Sequence, residues 1–169
     1  MQAGEVMTTN VVTVGSDATV REAASMMDDL NVGALPVCDG RRLVGIITDR
    51  DITVRATADG MQPDTTQVRA VMTDQVCWCF EDDDVAKIER AMAKRQIRRM
   101  PVVDESKRLV GMIALGDLVT GRAPGAEDTL RSISTPSEPD RSGSSARPRG
   151  DGYGPWPAYG GDSDYEWYE

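Results

Sequence analysis

The feature that most constrains this chain is a repeat. Gly45-Ile46-Ile47-Thr48-Asp49-Arg50-Asp51-Ile52 joins an apolar, strand-like run to a helix start, and residues 111 to 118 return as Gly-Met-Ile-Ala-Leu-Gly-Asp-Leu. Arg42-Leu43-Val44 is matched by Arg108-Leu109-Val110, Leu35-Pro36-Val37 by Met100-Pro101-Val102, and Val6-Met7-Thr8 by Val71-Met72-Thr73. The offset is 65 residues at the early landmarks and 66 at the late ones, the extra residue falling in a turn (Asp39-Gly40-Arg41 against Asp104-Glu105-Ser106-Lys107). Four landmarks kept in order indicate a duplicated unit. Each copy, at roughly 55 to 60 residues, is too small to bury a comfortable core alone. The two copies are expected to pack as one pseudo-symmetric module with a cleft on its axis.

Each copy reads strand, helix, strand, strand, helix, which makes the fold class α+β. In the first, Val11-Val12-Thr13-Val14 is a β-branched run closed by Gly15-Ser16-Asp17. Thr19 and Glu22 stand as a capping box, and Val20, Ala23, Ala24, Met27 and Leu30 recur at helical spacing until Asn31 and Gly33. Ala34-Leu35-Pro36-Val37-Cys38 is a buried strand whose proline needs a strand start or edge, where no ladder N–H is required. Asp39-Gly40 turns the chain into its hairpin partner, Leu43-Val44-Gly45-Ile46-Ile47, and Thr48 or Asp49 can cap a helix to about Thr57. Residues 59 to 66 link the copies, and a short helix through Val68 and Val71 leads into the second. There Val76-Cys77-Trp78-Cys79-Phe80 is the strand, and Glu81 to Asp84 cap a helix carrying Val85, Ile88, Ala91 and Met92. Met100 to Val103 pairs with Leu109 to Ile113, and Asp117 to Gly121 is a last short helix.

The charge balance narrows the function classes. A net charge of −9 and a pI near 4.6 give no long-range attraction to a phosphate backbone, which argues against nucleic acid as a partner. The start Met1-Gln2-Ala3-Gly4-Glu5 lacks a signal peptide's basic and apolar regions, and no run approaches the ~18 apolar residues of a membrane span. A cytoplasmic protein is expected. There is no histidine, no recognisable nucleophile arrangement and no Walker-type loop, so an enzyme is not expected. Cys38 falls opposite Val103, and Cys77 and Cys79 fall opposite Val12 and Val14, as core hydrophobes would. A redox or soft-metal pair at Cys77 and Cys79 stays open, although zinc would need further ligands and no histidine supplies them.

After Gly121 the composition shifts to Ser, Pro, Gly and Asp, and residues from about 124 to 169 are expected to be disordered. All four tyrosines, with Trp156 and Trp167, lie in the last 17 residues, and no Lys or Arg follows Arg149. Such an acidic aromatic tail either solubilises the chain or docks on a basic or apolar surface, its own or a partner's.

With its two Pro-Val strands and the Gly-h-h-Thr-x-x-Asp stretch (h, apolar), the chain resembles a tandem cystathionine-β-synthase (CBS) domain pair, or Bateman module. Val32-Gly33-Ala34-Leu35-Pro36-Val37-Cys38, Thr48-Asp49-Arg50-Asp51-Ile52 and Ile97-Arg98-Arg99-Met100-Pro101-Val102 are similar to small stand-alone bacterial pairs of the hypoxic-response type. The resemblance implies two β-α-β-β-α motifs, residues 6 to 60 and 67 to 122, followed by a tail at 123 to 169. It also implies a homodimer and an adenosine-type ligand (AMP, ADP, ATP or another adenosyl compound) in the clefts.

Chemistry alone makes such a cleft plausible. A threonine at a helix start offers a hydroxyl beside free N–H groups, which suits phosphate. An aspartate one turn on presents two acceptors to the two hydroxyls of a ribose. By the resemblance, Thr48 would contact phosphate, Asp51 ribose, and Arg50 would neutralise charge, while backbone around Val12, Ala34, Leu35 and Pro36 frames the base. In the second copy Asp117 remains, but Ala114 replaces the threonine and Gly116 the arginine. Losing a hydroxyl bond to a charged group costs about 1.5–3 kcal/mol, so the second site should be the weaker. Arg98 and Arg99, beside Met100 and Pro101, would partly compensate, or else pair with Asp82, Asp83 and Asp84 or face solvent. Thr48 and Asp51 also fit a purely structural role as helix caps. The expected function is a non-catalytic sensor passing a conformational signal to a protein partner; the alternative is a ligand-independent dimeric scaffold.

Overall fold

Two capped helices and two proline-bearing hairpins set the architecture. The computed structural model describes residues 1–120 and 126–134. Helix α1 spans Ala3–Val6, and α2 spans Val20–Leu30. Thr19 caps α2 by accepting from the Glu22 N–H (3.2 Å), while the Thr19 N–H donates to Glu22 Oε2 (2.7 Å). The buried stripe of α2 is Val20, Ala23 and Met27, and the helix stops on Asn31 in the left-handed region (φ 51°). Its counterpart α4 (Val85–Arg95) is capped by Asp84, buries Val85, Ile88 and Met92, and stops on Gln96 (φ 52°).

Strands β1 (Ala34–Asp39) and β2 (Arg42–Thr48) form one antiparallel hairpin, and β4 (Arg99–Val103) with β5 (Leu109–Ala114) forms the other. Both carry a register shift at the same place, between Val37 and Cys38 and between Val102 and Val103. The outer strand of each copy is shorter than expected. Val11–Val14 contributes a single parallel bridge, Val14 to Val37, and of residues 76 to 80 only β3 (Cys79–Phe80) pairs, with Val102 and Val103. The prolines explain it. Val14 N–H donates to the Pro36 carbonyl (3.0 Å) and Cys38 N–H to the Val14 carbonyl (2.9 Å), so the next rung back needs an N–H from Pro36. Proline has none, and the ladder ends. Pro101 interrupts the second copy in the same way. Both prolines therefore sit inside β1 and β4, with the missing donor turned toward a strand that stops there.

The copies are interwoven rather than laid end to end. Ala3, Val6 and Met7 pack in the core of the second copy with Ile88, Met92, Val102 and Leu118, while Val68, Val71 and Met72 pack in the core of the first with Val20, Met27, Leu35 and Ile47. The expected helix through Val68 is one 3₁₀ turn (Val68–Ala70), and it belongs to the first copy's core. At each crossing a Met-Thr pair pairs with the opposite hairpin: Thr8 exchanges two 2.9 Å backbone bonds with Met112, and Thr73 exchanges two with Ile46. The adjacent glycines leave room. A Cβ on Gly45 would lie 2.6 Å from Met72 Sδ and 2.9 Å from the Thr73 carbonyl, and one on Gly111 would press into Met7 and lie 3.0 Å from the Thr8 carbonyl. The repeated Val-Met-Thr and the repeated glycine are thus two halves of one contact. A pseudo-twofold axis passes between Arg42 and Arg108, which bridge antiparallel where β2 and β5 begin.

After β2, helix α3 (Asp49–Asp51) continues as a π-helix from Ile52 to Thr57, with Ala58 N–H reaching the Thr53 carbonyl (3.1 Å). Helix α5 (Leu115–Thr120) begins two residues before Asp117. Helix α6 (Ala126–Ser134) lies inside the stretch expected to be a disordered tail, and it packs on α4 and α5 with Ile133 in the second core. Leu130 and Ile133 are too few apolar residues among Ser, Thr and Arg for a periodicity to stand out. Residues 135 to 169, including all the tyrosines, lie outside the described residues.

Candidate functional site

The junction of β2 and α3 gathers the leading candidates. Thr48 ends β2 opposite Ala34 and is the N-cap of α3. Asp51 N–H donates to Thr48 Oγ1 (3.0 Å), and Asp51 Oδ2 accepts from both the Thr48 N–H (3.0 Å) and the Thr48 hydroxyl (2.8 Å). This reciprocal capping box commits the hydroxyl as donor and acceptor. The other carboxylate oxygen, Oδ1, lies 3.5 Å from Arg55 Nη2, a long ion pair that leaves it lone-pair capacity. Asp51 is 14% exposed at the side chain, so it meets solvent only through a narrow aspect. Asp49 packs its carboxylate over Gly33, where a Cβ would sit 3.0 Å from Oδ2, and its N–H donates to the Gly33 carbonyl (3.1 Å). Arg50 is exposed.

The second copy repeats the backbone and loses the hydroxyl. Ala114 N–H donates to Asp117 Oδ2 (2.7 Å), Arg99 stands opposite Ala114, and Leu115 N–H donates to the Arg98 carbonyl (2.9 Å). Both arginines are exposed, and among the described residues neither reaches a carboxylate within 4.0 Å. Pairing with Asp82, Asp83 and Asp84 is therefore not what occupies them. They flank the junction where Thr48 has no counterpart.

Four of the expected site residues have side chains in the core. Leu35 and Met100 are among the most deeply buried side chains, and Pro36 and Pro101 are buried within β1 and β4. Such residues can offer a ligand backbone only. Ala34 is buried opposite Thr48, and Val12 is exposed two residues before the Val14 bridge.

Arg55 is the residue that sequence reasoning missed. Its Nη1 donates to the carbonyls of Val71 and Met72 (2.8 Å each), and Nη2 reaches Thr73 Oγ1 (3.2 Å) as well as Asp51. It ties the Asp51 carboxylate to the segment that crosses between the copies. Its i+4 spacing from Asp51 was the available signal.

The thiols behave as core groups. Burial pushes up the Cys38 and Cys77 thiols, and Cys79 is pushed up to about 12 by burial and then by Asp83. Among the described residues no three His, Cys, Asp or Glu side chains group as a metal site. An open pocket of about 480 Å³ lies elsewhere, between Gln2, Phe80 and Glu105, but Glu5, Glu81, Asp82 and Asp104 line it and would repel a phosphate. No helix among the described residues is long and apolar enough to cross a membrane.

Comparison with known proteins agrees with this fold. The family model of the CBS domain matches twice, over residues 3–56 and 68–123. CBS domain-containing protein YhcV of Bacillus subtilis is 42% identical over 118 residues, covering 70% of this chain and 83% of that one. Hypoxic response protein 1 of Mycobacterium tuberculosis is 34% identical over 117 residues (69% and 81%). A crystal structure of hypoxic response protein I with two coordinated zinc ions superposes with a TM-score of 0.66 at 33% identity, covering 72% of this chain and 98% of that one. The CBS domain pair of protein MJ0100, in complex with 5-methylthioadenosine and S-adenosyl-L-methionine, matches with a TM-score of 0.64 at 29% identity (72% and 95%).

Proposed function

Because the chain belongs to the CBS domain family, we propose that it is a non-catalytic sensor that binds an adenosyl ligand at the β2–α3 junction and relays the binding to a protein partner. The observation that carries this reading is the half-satisfied carboxylate of Asp51: Oδ2 is held by Thr48, while Oδ1 keeps only a 3.5 Å contact to Arg55. A ribose hydroxyl donating to Oδ1 improves on that contact. Arg50 at the helix start then supplies positive charge to a phosphate or to another anionic group of the ligand. The adenosyl ligands of the MJ0100 pair support the ligand class.

The relay runs through Arg55. A hydroxyl on Oδ1 competes with the guanidinium, which is also bonded to the carbonyls of Val71 and Met72. Ligand binding therefore biases the segment that enters the second copy, by as much as its affinity differs between the two arrangements. In a homodimer, that bias would reach the partner subunit. The second junction, with Ala114, binds more weakly or prefers another ligand, with Arg98 and Arg99 near it.

A second reading, a ligand-independent scaffold, is favoured by one fact: Thr48 and Asp51 already satisfy each other as a cap. A thermal-shift panel of AMP, ATP, S-adenosylmethionine and 5-methylthioadenosine separates the two. Stabilisation by one adenosyl compound, absent in Asp51→Ala, supports the sensor; no stabilisation by any of them supports the scaffold.

A further inference from the structure

Among the described residues helix α6 has no counterpart in the first copy, and its effect is visible by comparing α4 with α2. Positions 86, 89 and 93 of α4 match positions 21, 24 and 28 of α2. Arg21, Ala24 and Asp28 are exposed, whereas Ala86 and Ala93 are half-buried and Glu89 is only 4% exposed. The N-terminal segment that crosses onto the second copy is matched by residues 66 to 73 crossing onto the first, so it does not account for the difference. Helix α6, packed on α4 and on α5, does.

Beneath that cover Glu89 is poorly provided for. Among the described residues its Oε1 has no hydrogen-bond partner. A buried carboxylate left without a donor is costly, whereas the neutral acid needs less and can itself donate an O–H. We infer that α6 is a detachable cover over Glu89, closed while that side chain is a neutral acid and loosened once it becomes a carboxylate.

The surrounding charges agree in direction. Burial pushes the Glu89 carboxyl up; Arg90 opposes this and Asp84 adds to it. From the other packed elements come Glu127, Asp128 and Arg131 of α6, Asp117 of α5, and Glu5 with the Met1 amino group at the N-terminus. With a raised value in the closed state, the contribution of Glu89 to closure is complete below the ordinary glutamate range. It is lost as pH rises through the raised value. Each unit of displacement is a factor of about ten in the opening equilibrium. Opening would uncover Ile133 and Thr129 of α6 together with Ala86 and Ala93.

Hydrogen exchange of the full chain, read by mass spectrometry and corrected for intrinsic rates, tests this between about pH 5 and about pH 8. The amides of α6 should lose protection several-fold or more as pH rises, while those of β1 and β4 hold theirs. Glu89→Gln and Glu89→Leu should both keep α6 protected at the upper end and flatten its pH profile. A flat profile in the natural protein overturns the inference, and so does an undiminished pH dependence in the two variants.

Discussion

Substituting Gly45 by Ala tests whether the interweaving of the two copies holds the module together. The new Cβ would lie 2.6 Å from Met72 Sδ and 2.9 Å from the Thr73 carbonyl, against the 3.4 Å or more of ordinary contact. The thioether can swing away. The carbonyl cannot, because it accepts from Ile46 N–H while Thr73 N–H donates to Ile46, both at 2.9 Å. Relief means moving the strand by about half an ångström and weakening two bonds worth roughly 1 kcal/mol each. Overpacking of this kind costs about 1–3 kcal/mol, and the lower chain entropy of alanine returns about 0.4–1 kcal/mol. A net loss of about 1–2 kcal/mol is expected, roughly 3 to 10 °C in Tm for a module of this size. Gly111→Ala should behave alike, since its Cβ meets the Thr8 carbonyl at 3.0 Å. Gly116→Ala is the control: it lies within α5 and an added Cβ would meet no heavy atom within 4 Å, so it should be neutral or mildly stabilising. Urea and thermal denaturation read all three. Wild-type stability in Gly45→Ala and Gly111→Ala would refute the close crossing.

Other outcomes follow from the same structure. Arg55→Met removes charged bonds to two carbonyls and should cost about 2–4 kcal/mol in denaturant unfolding. Thr48→Ala should cost about 1 kcal/mol as a lost cap, and Ala114→Thr, which rebuilds the box at Asp117, should gain a comparable amount. A thiol reagent at pH 8 should leave Cys38 and Cys79 unlabelled in the native protein and label all three cysteines in denaturant, because both are buried and their thiols are pushed up. Rapid native labelling of Cys79 would contradict its placement.

The duplication, both hairpins and the long helices were legible because each rests on a local signal: Thr19 with Glu22, Asp39-Gly40, the apolar stripes. What escaped the sequence depends on contacts between the copies. Pro36 and Pro101 revealed strands but not that they cut the neighbouring strands short, since that needs the partner's register. Val68 and Val71 looked like the start of the second copy, yet they fill the first copy's core, and periodicity does not say across which core a segment folds. The glycines at 45 and 111 were visible as landmarks, but the methionines they admit lie far away in sequence. At the candidate site, the closeness of Thr48 and Asp51 was legible in their spacing, whereas the depth at which the Leu35 and Met100 side chains lie was not, because a buried strand residue and a pocket residue share the same apolar character. Arg55 drew no role from the sequence, because the carbonyls and hydroxyl it reaches belong to Val71, Met72 and Thr73 of the crossing segment.

The central claim is that Asp51 holds an adenosyl ligand and that Asp117 does so less well. Isothermal titration of the natural chain, Asp51→Ala and Asp117→Ala with the compound giving the largest thermal shift tests it directly. The account predicts a tight site that disappears in Asp51→Ala and persists in Asp117→Ala, the difference amounting to at least tenfold in Kd, or about 1.4 kcal/mol. Equal affinity in Asp51→Ala, with that variant still folded, would contradict it.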